Sequence, residues 1–250
     1  MTRLTDYPLL LLALSFVTLS LSAWTGALLA RGRVPERQAR DEVFGVVEGA
    51  TLTLLGLIVG FTFSMAVGRY DQRKNLEEAE ANAIGTEYVR ADLLLADDAK
   101  KVRVLLLRYL DERIFYYETR DEALLRPADL RLARLQTDLW SAVTRPATAQ
   151  PTPVAALVVA GMNDVLNAQG YAQAAWLNRI PAAAWCLMIA IAILCNVLVG
   201  FDVASTRARL LPLVLPLAIS IAFFLIADIE SPRGGFIHVS PQNLLSLAQA

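Results

Sequence analysis

Four stretches of this chain run for nearly the thickness of a bilayer without a charged side chain. They are Pro8 to Ala30, Gly49 to Gly68, Ile180 to Phe201 and Leu210 to Ala227, of 23, 20, 22 and 18 residues. A helix rising about 1.5 Å per residue needs roughly 20 apolar residues to cross the hydrocarbon core. Nothing in the chain alternates with period two over a useful length, so the runs read as helices, not barrel strands. The expected class is all-α: a polytopic membrane protein with four transmembrane helices in two hairpins.

The charges lie between the hairpins. Arg69 to Arg179 holds 15 basic and 16 acidic residues of the chain's 23 and 24. Residues 1–68 therefore read as a first hairpin, with helices of about 8–30 and 45–68, and 69–179 as an extramembrane helical domain. Residues 180–228 form a second hairpin, with helices of about 180–201 and 210–228, and 229–250 a C-terminal tail. The first run follows Met-Thr-Arg but exceeds the roughly 7–15 apolar residues of a signal core, so a retained helix is expected.

Within the insert, good helix formers carry the second helix out of the bilayer to about Leu95. Val102, Leu105, Leu106, Tyr109, Leu110 and Ile114 recur at helical spacing and predict a helix over Lys100–Leu125. Arg126-Pro127 should end it, with a further helix over Ala128–Val143. Three prolines predict an extended linker over Arg145–Pro153, and Val154–Asn178 reads as the last helix of the insert.

The balance of charge, −1 overall, excludes the basic field that nucleic acid requires. One histidine, His238, and two cysteines, Cys186 and Cys195, leave no metal-ligand cluster, so neither metal nor cofactor is expected. Nine residues apart on one helix, the cysteines cannot form a disulfide. No nucleophile motif, paired acids or phosphate loop is present, and an enzyme is not expected. The short-loop arginines (31, 33, 37, 40, 207 and 209) balance those on the other side, so charge does not orient the chain.

The second membrane helix carries the functional signal. Gly45 and Gly49, then Gly56, Gly60, Ser64 and Gly68, recur every four residues along one face, and Thr53, Leu57 and Phe61 flank them at the same spacing. Helices in lipid associate by close approach over small residues, so Gly56, Gly60, Ser64 and Gly68 suit helix packing. Packing accounts for the whole face. Alternatively, Thr53, Leu57 and Phe61 project into a pore as a neck that gates by dewetting.

GFTFSMAVGRYDQR (Gly60–Arg73) resembles the second transmembrane helix of bestrophin channels. That family has Gly-Phe, an Arg and aromatic eight residues after the Phe, and another Arg four beyond: here Gly60, Phe61, Arg69, Tyr70 and Arg73. IADIESPRGGFIHVSPQNLLSL (Ile226–Leu247) resembles the stretch after the last helix, where an acidic residue precedes Pro, then Gly, then an Asn with a leucine pair. The layout of two hairpins around a helical insert also matches, most closely the bestrophin-like membrane proteins of bacteria.

The resemblance implies a homo-oligomeric ion channel, a pentamer, in the bacterial inner membrane, with Thr53, Leu57 and Phe61 as the neck and the insert and termini cytoplasmic. Its partners would be copies of itself, lipid and permeating ions. Thr53 departs from the larger aliphatic residue of the family, and the family's calcium-binding acidic run is replaced by SPRGGFIHVS (Ser231–Ser240), which predicts no calcium gating. Glu48, Arg69 and Arg73 are candidates for the pore mouth or vestibule; Asp228 and Glu230 are expected at the water interface. A different class of reading keeps the stripes for packing and makes the protein a membrane-anchored scaffold or sensor whose insert binds a protein partner.

Overall fold

The computed structural model describes residues 4–30, 38–203 and 211–250. Among these, every element is helical: a 3-10 turn Leu4–Asp6, α1 (Pro8–Ala30), α2 (Gln38–Arg90), a 3-10 turn Ala91–Leu93, α3 (Ala96–Glu118), α4 (Glu122–Ala149), α5 (Pro153–Leu177), α6 (Ala182–Val203), α7 (Leu211–Glu230) and α8 (Gln242–Gln249). Helices long and apolar enough to cross a membrane fall within Pro8–Ala30, Phe44–Leu93, Pro153–Asp202 and Leu213–Glu230. Residues 31–37 and 204–210, which hold Arg31, Arg33, Arg37, Arg207 and Arg209, lie outside the described residues.

The chain divides into two compact units, residues 1–68 with 179–238 and residues 69–178 with 239–250. In the first, α1 packs on α6 and α7. The crossing of α1 and α6 is made by two glycines. A Cβ at Gly26 would overlap the carbonyl of Val197, and one at Gly200 the carbonyl of Ala23. The backbones thus touch directly, the means by which helices associate where lipid offers no hydrophobic gain. Leu19, Ala23, Met188, Ala192, Phe223 and Ile226 are buried in this unit. Trp185 stands edge-on to Phe223 with ring centroids 6.1 Å apart. Asp6 and Arg179 form an ion pair that holds the Leu4–Asp6 turn against the start of the second hairpin.

The second unit is a helical bundle with its own core. Ile84 of α2, Val102, Leu106, Tyr109 and Leu110 of α3, Leu132, Leu139 and Val143 of α4, Val158, Met162 and Val165 of α5, and Leu244 of α8 form one buried cluster. The α3 face matches the spacing that marks it in the sequence.

Two expectations about proline fail here. Pro127 lies inside α4 rather than before it, and Pro146 lies inside the same helix rather than in an extended linker. A helix-interior proline costs about 3 kcal/mol or more through its missing N–H and its clash with the preceding turn. Against that, α4 buries Ala128, Leu132, Leu139, Ala142 and Val143, and each buried leucine or valine contributes roughly 1.5–3 kcal/mol. Burial therefore wins over propensity. The helix starts four residues before Arg126, where the Asp121 carboxylate accepts the N–H of Ala123 at 2.8 Å. Only Gln150 to Thr152 separate α4 from α5, whose start is capped by the Thr152 hydroxyl accepting the Ala155 N–H at 3.1 Å.

Candidate functional site

An α-helix advances about 100° per residue, so positions 53, 57 and 61 drift slowly along one side of α2. In the membrane segment, Leu55, Thr62 and Ala66 are buried. They lie roughly opposite the stripe. Phe61 is 65% and Leu57 53% exposed, and Thr53 is exposed with its hydroxyl satisfied by the Gly49 carbonyl at 2.8 Å. Around Gly45, Gly49, Gly56, Gly60 and Gly68, a Cβ would meet nothing within 4 Å. This differs in kind from Gly26 and Gly200. Those glycines are consumed by packing inside one chain, whereas the α2 glycines face outward beside Leu57 and Phe61.

The three charged candidates are placed differently. Glu48 is half-buried, about one turn before Thr53. Arg69 is half-buried, while Arg73 is buried with its Nε donating to the Arg69 carbonyl at 3.3 Å. Arg73 is thus enclosed by its own chain, against the snorkelling role an exposed basic residue would have at that level.

Beyond Arg73, α2 carries three buried carboxylates, Glu77, Glu80 and Glu87. Glu80 is paired with Arg113 of α3, its Oε1 accepting from Nε and its Oε2 from Nη2 at 2.9 Å, with the Tyr117 hydroxyl donating to Oε2 at 3.3 Å. Arg113 and Glu80 are 1% and 0% exposed. Burial would lower the guanidinium's pKa, but the adjacent Glu80 carboxylate outweighs it and raises it above its ordinary range. Burial, and secondarily Glu80, raises the phenols of Tyr109 and Tyr117. The guanidinium also lies over the rings of Tyr116 and Tyr117, 5.1 and 5.3 Å from their centroids.

Glu77 reaches α8. Its carboxylate accepts the N–H of Asn243 and of Leu244, each at 3.0 Å, and the Asn243 side-chain amide at 2.7 Å. The Asn and leucine of the C-terminal motif are thus the groups that fasten α8 to α2. The acidic residues of that motif also act as anchors. The expectation that Asp228 and Glu230 meet water fails, because both are buried. Asp228 accepts the N–H groups of Phe236 and Ile237 at 2.7 and 2.9 Å, and Glu230 accepts the N–H of Ile180. Backbone donors beyond the helix ends bond both oxygens of Asp228 and Oε1 of Glu230, in place of water. Among the described residues, no three of His, Cys, Asp and Glu converge as metal ligands.

An all-helical chain with four membrane-length apolar helices, an unpacked small-residue face on the second and a helical bundle with its own core defines a class of polytopic membrane protein. The Bestrophin-like domain profile matches residues 13–244 of this sequence. The chain belongs to the Bestrophin-like family, whose bestrophin members are ion channels rather than enzymes.

Solved structures of a bacterial bestrophin homologue from Klebsiella pneumoniae are similar in fold. One single-substitution variant superposes with a TM-score of 0.66 at 14% identity, over 96% of this chain and 97% of the other. A second variant of the same homologue gives 0.64 at 15% identity, over 97% and 99%. A comparison with curated protein sequences found no match.

Proposed function

We propose that this chain is one subunit of a homo-oligomeric, pentameric bestrophin-like ion channel in the bacterial inner membrane, with α2 lining the pore. Leu57 and Phe61 form its hydrophobic neck, with Thr53 a more polar step at one end. The observation that carries the reading is the α2 face itself. Its small residues Gly56, Gly60, Ser64 and Gly68 stand open beside two large exposed apolar side chains, while Leu55, Thr62 and Ala66 pack inward. Small residues let a neighbouring helix approach closely, and a ring of Leu and Phe would hold a narrow passage dry until it widens.

Glu48 would stand as a ring of carboxylates near the mouth, and Arg69 where α2 leaves the hydrocarbon. The buried Arg73 is better suited to stiffening the helix than to meeting ions.

The test combines native mass and flux. Detergent-solubilised protein should carry the mass of five subunits, and liposomes should leak ions faster with Phe61→Ala or Leu57→Ala than with wild type. A monomer or dimer that passes no ion in any form would sink the channel reading and leave the scaffold reading in its place.

A further inference from the structure

Glu87 is the third buried carboxylate of α2, and it differs from the other two. Its side chain is 0% exposed, and neither carboxylate oxygen has a hydrogen-bond partner. It lies against α5 at Gly161, where a Cβ would overlap its Oε2 and crowd the Arg90 guanidinium. A glycine inside a helix is unfavourable relative to alanine. The gain visible here is room for this carboxyl group and the Arg90 guanidinium beside it, next to the buried side chains of Val158, Met162 and Val165 on the same helix.

An ionised carboxylate that deep, with no hydrogen bond to satisfy it, would pay a desolvation penalty that the Arg90 charge offsets only in part. A protonated one would not. We propose that Glu87 is a proton-binding site that governs the contact between α2 and α5, closing it when the carboxyl is neutral and opening it when the proton is lost.

The surrounding charges leave the decision to burial. Facing Glu87 are Arg90, three residues on along α2, which favours the anion, and Asp164 of α5, which opposes it. Burial is the larger effect, and it pushes the carboxyl up to about 8. The site lies wholly within the second unit, and the inference does not depend on α2 lining a pore.

Linkage sets the direction. In the open form Glu87 meets water and titrates near its ordinary 4.5; in the closed form it keeps its proton to about 8. Opening is therefore favoured by rising pH between these limits, by up to about tenfold per pH unit, and levels off above them. The experiment is amide hydrogen exchange on the purified full-length protein from pH 5 to 9, corrected for intrinsic exchange and read over residues 153–177.

Wild type should show opening that rises to about pH 8 and then flattens, while Glu87→Gln, which keeps the shape but cannot ionise, should be flat throughout. The same pH dependence in both proteins would overturn the proposal. Infrared difference spectra supply a second measure. A protonated-carboxyl band present at pH 7 and lost near pH 8 is expected, with its midpoint lowered in Asp164→Asn. The absence of any such band at pH 7 would equally overturn it.

Discussion

The Glu77 carboxylate accepts the backbone N–H of Asn243 across 166 residues of sequence, at 3.0 Å. With the N–H of Leu244 and the amide of Asn243, it supplies the N-terminal cap that Pro241 has no side chain to give. A helix of eight residues is too short to persist by its own hydrogen bonds, so α8 depends on this charge and on Leu244, buried in the bundle, with Leu247 packed against the same core.

Glu77→Ala should therefore release α8 selectively. Hydrogen bonds to a charged acceptor contribute about 1.5–3 kcal/mol each, and their loss here should cost at least about 2 kcal/mol of local stability. Hydrogen exchange checks this: protection over 242–249 should collapse while α3 and α4 keep theirs. Unchanged protection in α8 would mean that Leu244 and Leu247 hold it without the charge.

The Glu80–Arg113 pair should behave as a unit. Arg113→Met leaves a buried carboxylate without its partner, which should cost about 3–5 kcal/mol, whereas the double change Glu80→Met/Arg113→Met should cost markedly less than the sum of the two single ones. Denaturant unfolding of the four proteins completes the cycle. Strictly additive losses would show that the pair is uncoupled.

Two glycines on different helices separate folding from assembly. Gly200→Ala drives a methyl group into the Ala23 carbonyl and should destabilise the subunit, at about 1–3 kcal/mol for an overpacked contact. Gly56→Leu meets nothing within 4 Å of its Cβ and should leave the subunit intact while lowering the oligomeric mass. Thermal unfolding and native mass spectrometry, run on both variants, read the two effects independently. A full-size oligomer in Gly56→Leu would argue against subunit contact over that stripe.

Glu87 makes a prediction about global stability as well. Its carboxyl is raised in the folded chain, so both states hold the proton below about 4.5 and the group then contributes no pH dependence. Between that pH and about 8 the unfolded chain has lost the proton and the folded one has not, so stability falls as pH rises, and above about 8 the loss is constant. Unfolding midpoints across pH 5 to 9 should fall less steeply in Glu87→Gln than in wild type.

The membrane helices can be read directly, because crossing hydrocarbon demands length and apolarity, which are local properties of a sequence. The face carrying Thr53, Leu57 and Phe61 is equally readable, since a repeat of four marks one side of a helix whatever surrounds it. Proline misleads in α4. The cost of Pro127 and Pro146 is local and visible, while the leucines that outweigh it act through contacts with α3. The carboxylates are invisible for a related reason. Glu77, Glu80 and Glu87 stand in an ordinary run of helix-forming charged residues, and Gly161, which makes room for Glu87, looks in sequence no different from Gly170 on the same helix, where a Cβ would meet nothing.

Sequence alone determined the class of this protein: which segments can enter a bilayer, which carry the charge between them, and which side of the second helix is small. Those follow from transfer free energy and helical period, and neither needs to know what lies nearby. Tertiary structure decided what each buried charge does. A carboxylate in low dielectric is an ion-pair partner beside Arg113, a helix cap beneath Asn243 or a proton holder against Gly161, according to the groups that folding brings within about 3 Å of it.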